Sequence, residues 1–157
     1  MTDGAGEHPA PGRGIVAWAV ASAVLMTVAI LGAFFVAPEN ADGDIQNILY
    51  LHVPIAIVSL AAFLVACVAG ILYLRRRDER YDEIVAVSIG LGLLFVVLTI
   101  ISGSIWARGY WGTWWRWQDP RLVTYLIIAL LYGAFFVLRN SSEDASRARF
   151  SAIFAIV

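Results

Sequence analysis

The sequence predicts an all-α fold, a polytopic membrane helix bundle with four full transmembrane helices and the start of a fifth. Of its 157 residues, 61% are hydrophobic and only 15% are charged, whereas soluble domains carry about a quarter charged residues. Apolar runs of membrane-spanning length recur along the chain, and arginines cluster between them. Both patterns are typical of a chain that is surrounded by a lipid bilayer.

The chain begins with a polar stretch and continues with four long apolar runs. Residues 1–13, MTDGAGEHPAPGR, are rich in Gly and Pro and are expected to form a flexible tail. The next run is too long for the apolar core of a signal peptide and lacks a clear cleavage site, so it is interpreted as a retained first span. The predicted spans, each near or above the ~20 residues that cross hydrocarbon, are residues 14–37, 47–74, 84–105 and 122–138.

A fifth apolar run begins at about residue 150 and reaches Val157, where the sequence stops. A run this short cannot cross a bilayer. We therefore expect a chain that is cut off as it enters a fifth helix. Residues 14–157 are predicted to form a single transmembrane domain that follows the tail.

Arginine placement predicts the orientation of the spans. The chain has no lysine, and eight of its 11 arginines lie in the tail, in the RRRDER loop after the second span, or after the fourth span. Because cytoplasmic loops are enriched in Arg and Lys, these segments and the N-terminus are predicted to be cytoplasmic. The loop at residues 38–46 and a tryptophan-rich segment after the third span would then lie on the outer face of the inner or plasma membrane.

Small residues and one proline indicate where the helices pack closely or bend. Pro54 lies in the second span, where it removes a backbone donor and predicts a kink near the outer end. Small residues four apart, which let transmembrane helices approach one another, are Ala62, Ala66 and Gly70 in the second span and Ser88 and Gly92 in the third.

Net charge and cysteine content exclude several classes of protein. The formal net charge is −1, so no overall basic field attracts nucleic acid. Cys67 is the only cysteine, which excludes an intrachain disulfide and a CxxCH motif for covalent haem attachment. Because Cys67 lies in an apolar run, it is interpreted as a small hydrophobic residue. We expect a binding protein and not an enzyme.

The segment RGYWGTWWRWQDPR, residues 108–121, concentrates aromatic and charged side chains in one outer loop. Five of the six tryptophans lie in or beside it, at positions 106, 111, 114, 115 and 117. An interfacial aromatic belt would instead be spread over both ends of all the helices. If the segment is helical, Trp111, Trp114 and Trp115 share one face, which would form a flat and rigid apolar platform.

Three arginines in the same segment indicate the kind of ligand that such a platform would bind. The guanidinium groups of Arg108, Arg116 and Arg121 can bind carboxylates with two-pronged geometry. A flat apolar molecule that carries carboxylates fits this surface, and haem with its two propionates is such a molecule. On these residues alone, a planar-ligand site and an aromatic belt stay equal alternatives.

His52 favours the ligand site. It lies in YLHVP, just inside the outer end of the second span and at about the depth of the tryptophan-rich segment. An ionisable residue at membrane depth indicates a functional site, and histidine is a frequent axial ligand of haem iron. His8, the other histidine, lies in the tail on the predicted cytoplasmic side and is a poor candidate.

The segments YLHVPIA and SGSIWARGYWGTWWRWQDPRL resemble the haem exporter protein C (CcmC) family of cytochrome c maturation, part of a broader group defined by a tryptophan-rich WWD loop. The resemblance covers most of the chain from the first span onward. It implies a six-helix membrane protein that binds haem b transiently on the outer face and passes it to a membrane-anchored haem chaperone (CcmE). It also implies an ABC transporter pair and a small single-span subunit as partners.

The resemblance assigns roles to individual residues. His52, which precedes the Val-Pro pair, matches one axial ligand of the haem iron. The haem platform of the family matches Trp111, Gly112, Trp114, Trp115, Trp117, Asp119 and Arg121. Arg108 and Arg116 complete the predicted binding residues as further partners for carboxylates.

Two features depart from the family pattern. Gln118 is an extra residue between Trp117 and Asp119, and on a helix it would rotate Asp119 and Arg121 by about 100°. The family's second axial histidine lies in an outer loop after its fifth helix, and this sequence stops before that loop.

Three alternatives to a haem-delivering protein stay open. The first is a haem–apocytochrome ligase of the same broad group, although 157 residues are few for proteins that have more spans. The second is a permease or structural membrane subunit whose aromatic residues form only an interfacial belt. The third is an inactive, truncated reading frame, which the abrupt stop at Val157 suggests.

Overall fold

The computed structural model describes residues 12–36, 43–141 and 144–157, which are almost entirely helical and contain no strand. The predicted flexible tail lies outside these ranges except for Gly12 and Arg13. The helices are α1 (Arg13–Phe35), a short 3-10 helix (Asp44–Ile48), α2 (Leu49–Arg76), α3 (Glu79–Trp111), α4 (Pro120–Ser141) and α5 (Asp144–Ile156).

Four of these helices are long and apolar enough to cross a membrane. They are α1, α2 together with most of the 3-10 helix, α3 and α4. With 13 residues, α5 is too short to span a bilayer. The predicted all-α polytopic membrane fold, with four spans and a shorter fifth helix, is confirmed.

α1 belongs to one compact unit, residues 1–38, and the other helices belong to a second unit, residues 39–157. Large apolar side chains are exposed all around α1, including Trp18, Leu25 and Phe35, which are 77%, 70% and 81% exposed. A helix that is apolar on every face is typical of a membrane span. The single domain over residues 14–157 stays a prediction.

The second unit is held together by close contacts between α2 and each of α3 and α5. A Cβ atom at Gly92 of α3 would lie 2.4 Å from the Phe63 ring of α2. A Cβ atom at Gly70 of α2 would lie 2.8 Å from the carbonyl oxygen of Ala152 in α5. Two of the predicted small-residue positions therefore lie where helices make their closest approach.

A tight turn joins α2 to α3 at the arginine-rich end of the unit. Arg77 ends α2 in the left-handed conformation, with φ of 56°. Asp78 then caps α3, because its carboxylate accepts the backbone N–H of Arg80. Glu79 and Asp82 place negative charge in the first turn of α3, where the helix dipole favours it.

A buried ion pair connects α3, α4 and α5 at this same end. Both terminal nitrogens of Arg139 lie 2.7 Å from the two carboxylate oxygens of Asp82. Arg139 also donates a hydrogen bond to the hydroxyl of Ser151 in α5. The side chains of Arg139 and Asp82 are only 13% and 7% exposed. The apolar core cluster that includes Ile89 and Phe135 packs between the same helices.

The helix boundaries differ from the predicted spans mainly where polar residues extend a helix. α3 covers Glu79–Trp111, whereas the predicted span covered only residues 84–105. α5 begins at Asp144, although its apolar run begins at about residue 150. Apolar runs mark the part of a helix that can lie in hydrocarbon, and hydrogen bonding and capping set where the helix itself ends. Pro54 lies within α2, and the predicted kink stays a prediction.

Candidate functional site

A cavity of about 310 Å³ lies between α2, α3 and the start of α4, at the end opposite the buried ion pair. Its polar lining comes from His52, Asp119 and Arg121, and two tryptophans contribute to its wall. The remaining lining residues are small or apolar side chains together with Thr99 and Tyr125. A concave, mostly apolar site with a few converging polar groups is typical of small-molecule binding.

His52 enters the cavity from the first turn of α2, and α3 fixes its ring. Nδ1 of His52 lies 2.8 Å from the hydroxyl oxygen of Ser102. The other ring nitrogen, Nε2, has no hydrogen-bond partner within residues 43–141 and 144–157. The sequence alone assigns no role to Ser102.

Gly103 allows the imidazole to lie directly against α3. A Cβ atom at this position would be 3.1 Å from Cε1 of His52 and 3.8 Å from a methyl carbon of Leu122. The first distance is tight and the second is an ordinary van der Waals contact, so a larger residue would push the imidazole ring away from α3. Sequence reasoning missed Gly103, because a glycine in an apolar helix carries no signal of its partner.

Trp106 and Trp111 form the aromatic wall of the cavity. Their rings are 5.2 Å apart in an edge-to-face arrangement. Trp106 also stacks on Tyr110 at 4.7 Å, and its indole Nε1 donates a 3.0 Å hydrogen bond to the side-chain oxygen of Gln46. Trp106 was counted in the tryptophan cluster but was not among the predicted site residues, although it lines the cavity.

The tryptophan-rich segment is not a continuous helix, so the conditional prediction of one helical face for its tryptophans does not apply. α3 ends at Trp111, and Gly112 follows in the left-handed conformation with φ of 77°. Arg108 closes this helix end by donating a hydrogen bond to the carbonyl oxygen of Gly112. Residues 112–119 then form an irregular loop.

The loop divides the predicted aromatic platform into two parts. Trp111 lines the cavity, whereas Trp114 and Trp117 are 59% and 68% exposed. Trp115 packs edge-to-face on Trp117 at 5.6 Å, and its buried indole N–H has no hydrogen-bond partner in the described part of the chain. The guanidinium of Arg116 lies 4.7 Å from the centre of the Trp111 ring, which is cation–π geometry.

Asp119 and Arg121 form an ion pair at the edge of the cavity and at the start of α4. Nη2 of Arg121 lies 2.8 Å from Oδ2 of Asp119, and Nε lies 3.2 Å from Oδ1. Oδ1 also accepts the backbone N–H of Arg121 at 2.9 Å, so Asp119 caps the helix that Pro120 begins. The Arg121 guanidinium lowers the pKa of the Asp119 carboxyl below its ordinary value.

The irregular loop also shows how the structure accommodates Gln118, the extra residue between Trp117 and Asp119. A 100° rotation would apply only if the inserted residue lay in a helix, and residues 112–119 are not helical. The loop accommodates Gln118, and both Asp119 and Arg121 still line the cavity.

Four of the predicted binding residues thus share one cavity: His52, Trp111, Asp119 and Arg121. Gly112 and Arg108 form the end of α3, and Arg116 contacts Trp111 from outside the lining. Trp114, Trp115 and Trp117 lie on the adjoining loop. The structure therefore brings together four of the ten predicted residues in the cavity lining and has the other six in the helix end and loop that adjoin it.

The fold and this cavity define a multi-pass membrane protein with a candidate ligand site at one end of its helices. Comparison with known proteins identifies the class more closely. The model of the family described as heme exporter protein C matches residues 10–157. The chain belongs to the haem exporter protein C family, and the resemblance seen in the sequence is confirmed.

Individual relatives support the same assignment. The chain is 33% identical over 135 residues to the heme exporter protein C of Paracoccus denitrificans, covering 85% of this chain and 56% of the relative. It is 34% identical over 127 residues to the protein of that name from Escherichia coli K12, covering 80% of this chain and 51% of the relative. The chain thus spans about half the length of the curated relatives it matches.

Proposed function

We propose that this protein binds haem b transiently in and above the His52 cavity and delivers it to a membrane-anchored haem chaperone during maturation of c-type cytochromes. One observation carries the proposal. An imidazole whose Nε2 has no hydrogen-bond partner among the described residues, an aromatic wall and an arginine meet in a single cavity. Haem offers iron, a flat apolar ring and carboxylates to those three kinds of group.

The chemistry of the cavity residues fits haem. His52 would be an axial ligand of the iron through Nε2. Within the described residues, no group of three or more His, Cys, Asp or Glu side chains could hold a metal ion. The iron of haem would instead be held by the porphyrin, with His52 as one further ligand. Arg121, whose side chain is 73% exposed, would pair with a propionate, with Arg108 and Arg116 as further positive charge nearby.

The size of the cavity explains why the loop would also take part. About 310 Å³ is at the lower end of the ~300–1,000 Å³ range of small-molecule sites. Part of a porphyrin would therefore project from the cavity and lie against the exposed loop. Trp114, Trp115 and Trp117, which lie on this loop, would cover that part in the platform role that the family resemblance implies.

The proposed setting is the inner or plasma membrane, with the N-terminus in the cytoplasm and the tryptophan-rich loop on the outer face. The uneven distribution of arginine supports this orientation. The proposed partners are a chaperone of the CcmE type, an ABC transporter pair and a small single-span subunit. Family membership supports this proposal, as do the names of the relatives, heme exporter protein C.

A second candidate function is a permease or structural subunit with an interfacial aromatic belt. The exposure of Trp114 and Trp117 favours it, since exposed tryptophans at a helix end are typical of the headgroup region. The two functions differ in what removal of these aromatic rings does to haem binding.

Haem titration of a double tryptophan variant separates the two functions. Haemin is added to the purified chain in detergent micelles, and binding is followed by the change in its visible absorbance. Stacking on an aromatic side chain contributes ~1–3 kcal/mol per ring in nucleic-acid complexes, so Trp114→Ala with Trp115→Ala should weaken haem binding at least about tenfold. Trp18→Ala, which removes an exposed tryptophan from α1, is the matched control and should bind like the wild type. Equal affinity of the double variant and the control would favour the belt.

A further inference from the structure

We infer that Ser102 is a positioning residue that holds the His52 imidazole in the one tautomer able to bind iron, an inference that rests on the proposed function. Three groups in a hydrogen-bonded row support this inference: His52 Nδ1, the Ser102 hydroxyl and a carbonyl oxygen of α3.

The distances define which way the protons point along this row. The Ser102 hydroxyl oxygen lies 2.8 Å from the carbonyl oxygen of Leu98 and 3.2 Å from that of Thr99. Carbonyl oxygens can only accept, and a hydroxyl has one proton to donate. A serine in a helix commonly gives this proton to the carbonyl oxygen four residues earlier, which leaves a lone pair of its oxygen for His52 Nδ1, 2.8 Å away. In that arrangement Nδ1 is the protonated nitrogen.

The position of this proton decides whether His52 can be a ligand. A neutral imidazole carries one N–H, so protonation of Nδ1 leaves a free lone pair on Nε2. The opposite tautomer would have its proton on Nε2 and no lone pair there for iron. A hydrogen bond from the remote N–H also makes the ligating nitrogen more basic. Ser102 would thus select the ligand form of His52 and strengthen it.

Burial keeps the chain of hydrogen bonds intact. Ser102 is 7% exposed, so few water molecules can compete for its oxygen. The neighbouring Gly103 holds the other edge of the ring, since its backbone leaves just enough room for Cε1. Two adjacent residues of α3 would therefore act on the His52 imidazole. Ser102 would keep the proton on Nδ1, and Gly103 would limit the rotation of the ring.

A purely structural role for Ser102 is the competing explanation. Serines in apolar helices commonly bond to the carbonyl oxygen four residues earlier, whatever lies beside them. In that case, removal of the hydroxyl would leave the His52 tautomer and the properties of bound haem unchanged. The two explanations therefore differ in measurements on His52 itself.

The tautomer can be measured without haem. The full chain is labelled with ¹⁵N-histidine in a His8→Gln background, which leaves His52 as the only histidine, and its nitrogen shifts are recorded in detergent micelles above the pH at which the ring is protonated twice. We expect a protonated Nδ1 and an unprotonated Nε2 in this chain. Ser102→Ala should shift the population towards the Nε2–H form. A wild-type His52 that is mainly Nε2–H would overturn the inference, whether or not the Ala variant folds.

Haem binding gives the second readout. Loss of a hydrogen-bond partner behind a metal ligand typically costs 10–100-fold in metal affinity, so Ser102→Ala should bind haemin about 10–100-fold more weakly than the wild type. The Fe(III)/Fe(II) midpoint potential should rise, because a less basic imidazole stabilises ferric iron less. Ser102→Thr keeps the hydroxyl and should restore both values.

Ser88→Ala is the matched control, and His52→Ala separates the inference from the proposed function. Ser88 is another buried serine of α3, about 21 Å further along the helix, and its loss should leave affinity and potential unchanged. If His52→Ala loses iron ligation while Ser102→Ala keeps the wild-type tautomer, affinity and potential, Ser102 has no positioning role and the proposed function stands. If His52→Ala retains the wild-type haem spectrum, the proposed ligand is wrong and the inference about Ser102 is wrong with it.

Discussion

Two aspartate–arginine pairs lie at opposite ends of the helices of residues 39–157, and they differ in what they connect. Asp82 and Arg139 are 57 residues apart and join α3 to α4, with side chains that are only 7% and 13% exposed. Asp119 and Arg121 are two residues apart and join a loop to the helix that follows it. Asp119 is 10% exposed, but Arg121 is 73% exposed.

The difference indicates which end of the molecule maintains the fold and which end can exchange partners. Arg139 has both oxygens of Asp82 and the Ser151 hydroxyl as partners in a nearly closed environment. A ligand could reach it only if the helices separated. Arg121 can turn from Asp119 to a ligand carboxylate at small cost, because an exposed ion pair contributes only ~0–1 kcal/mol. We therefore assign stability to the first end and propose ligand binding at the second.

The largest expected effect comes from breaking the buried pair. Asp82→Asn would leave the Arg139 charge buried without its counter-charge, which typically costs ~3–5 kcal/mol. The free energy of unfolding, measured by denaturant titration in micelles, should fall by about that amount. Asp119→Asn is the matched variant at the other end and should have a much smaller effect.

A double substitution sharpens this prediction. Asp82→Leu combined with Arg139→Met removes both charges, and replacement of a buried ion pair by apolar residues is often neutral or stabilising. The double variant should therefore be more stable than Asp82→Asn. If Asp82→Asn and Asp119→Asn lose equal stability, the two ends do not differ as proposed.

A smaller change in the free energy of unfolding is expected when acid protonates Asp119 and breaks its ion pair with Arg121. Because Arg121 lowers the pKa of Asp119 in the folded state, the pair contributes stability that is fully present above the ordinary aspartate pKa of about 3.9. This stability is lost as pH falls through the lowered folded-state pKa. The difference in unfolding free energy between the wild type and Asp119→Asn should be constant near neutral pH and shrink below about pH 4. A difference that grows as the solution becomes more acidic would contradict the ion pair.

The number and approximate position of the spans could be predicted from the sequence. A long apolar run that crosses a bilayer must satisfy its backbone hydrogen bonds internally, and a helix does so. The His52 site was partly predictable as well. An imidazole at membrane depth and a cluster of tryptophans are both rare, and the tryptophan cluster lies at the end of α3, beside the start of α2. Four of the predicted binding residues, His52, Trp111, Asp119 and Arg121, line one cavity, and their roles in binding stay predictions.

The contacts between distant residues could not be predicted. Ser102 is one of several serines near the segment, and its pairing with His52, 50 residues away, depends on how α2 and α3 rotate about their axes. Asp82 was likewise not assigned to Arg139, because Arg139 was interpreted only as a marker of orientation. The sequence also left open whether the segment after Trp111 is helical, because Gly112 can either continue a helix or end it with a left-handed turn, as it does here.

Iron ligation by His52 is the central claim for the open end, and the visible spectrum of haem bound to the purified chain tests it most directly. Of the two histidines in the sequence, His52 lines the cavity, and His8 lies outside the residues that the structure describes. A single protein imidazole leaves the opposite face of the iron open to water or an added ligand. Added imidazole should therefore bind and produce a six-coordinate low-spin spectrum. His52→Ala should lose tight iron ligation and keep only weak association with the tryptophans. A wild-type spectrum that is already low-spin, and that responds neither to imidazole nor to loss of His52, would contradict the account.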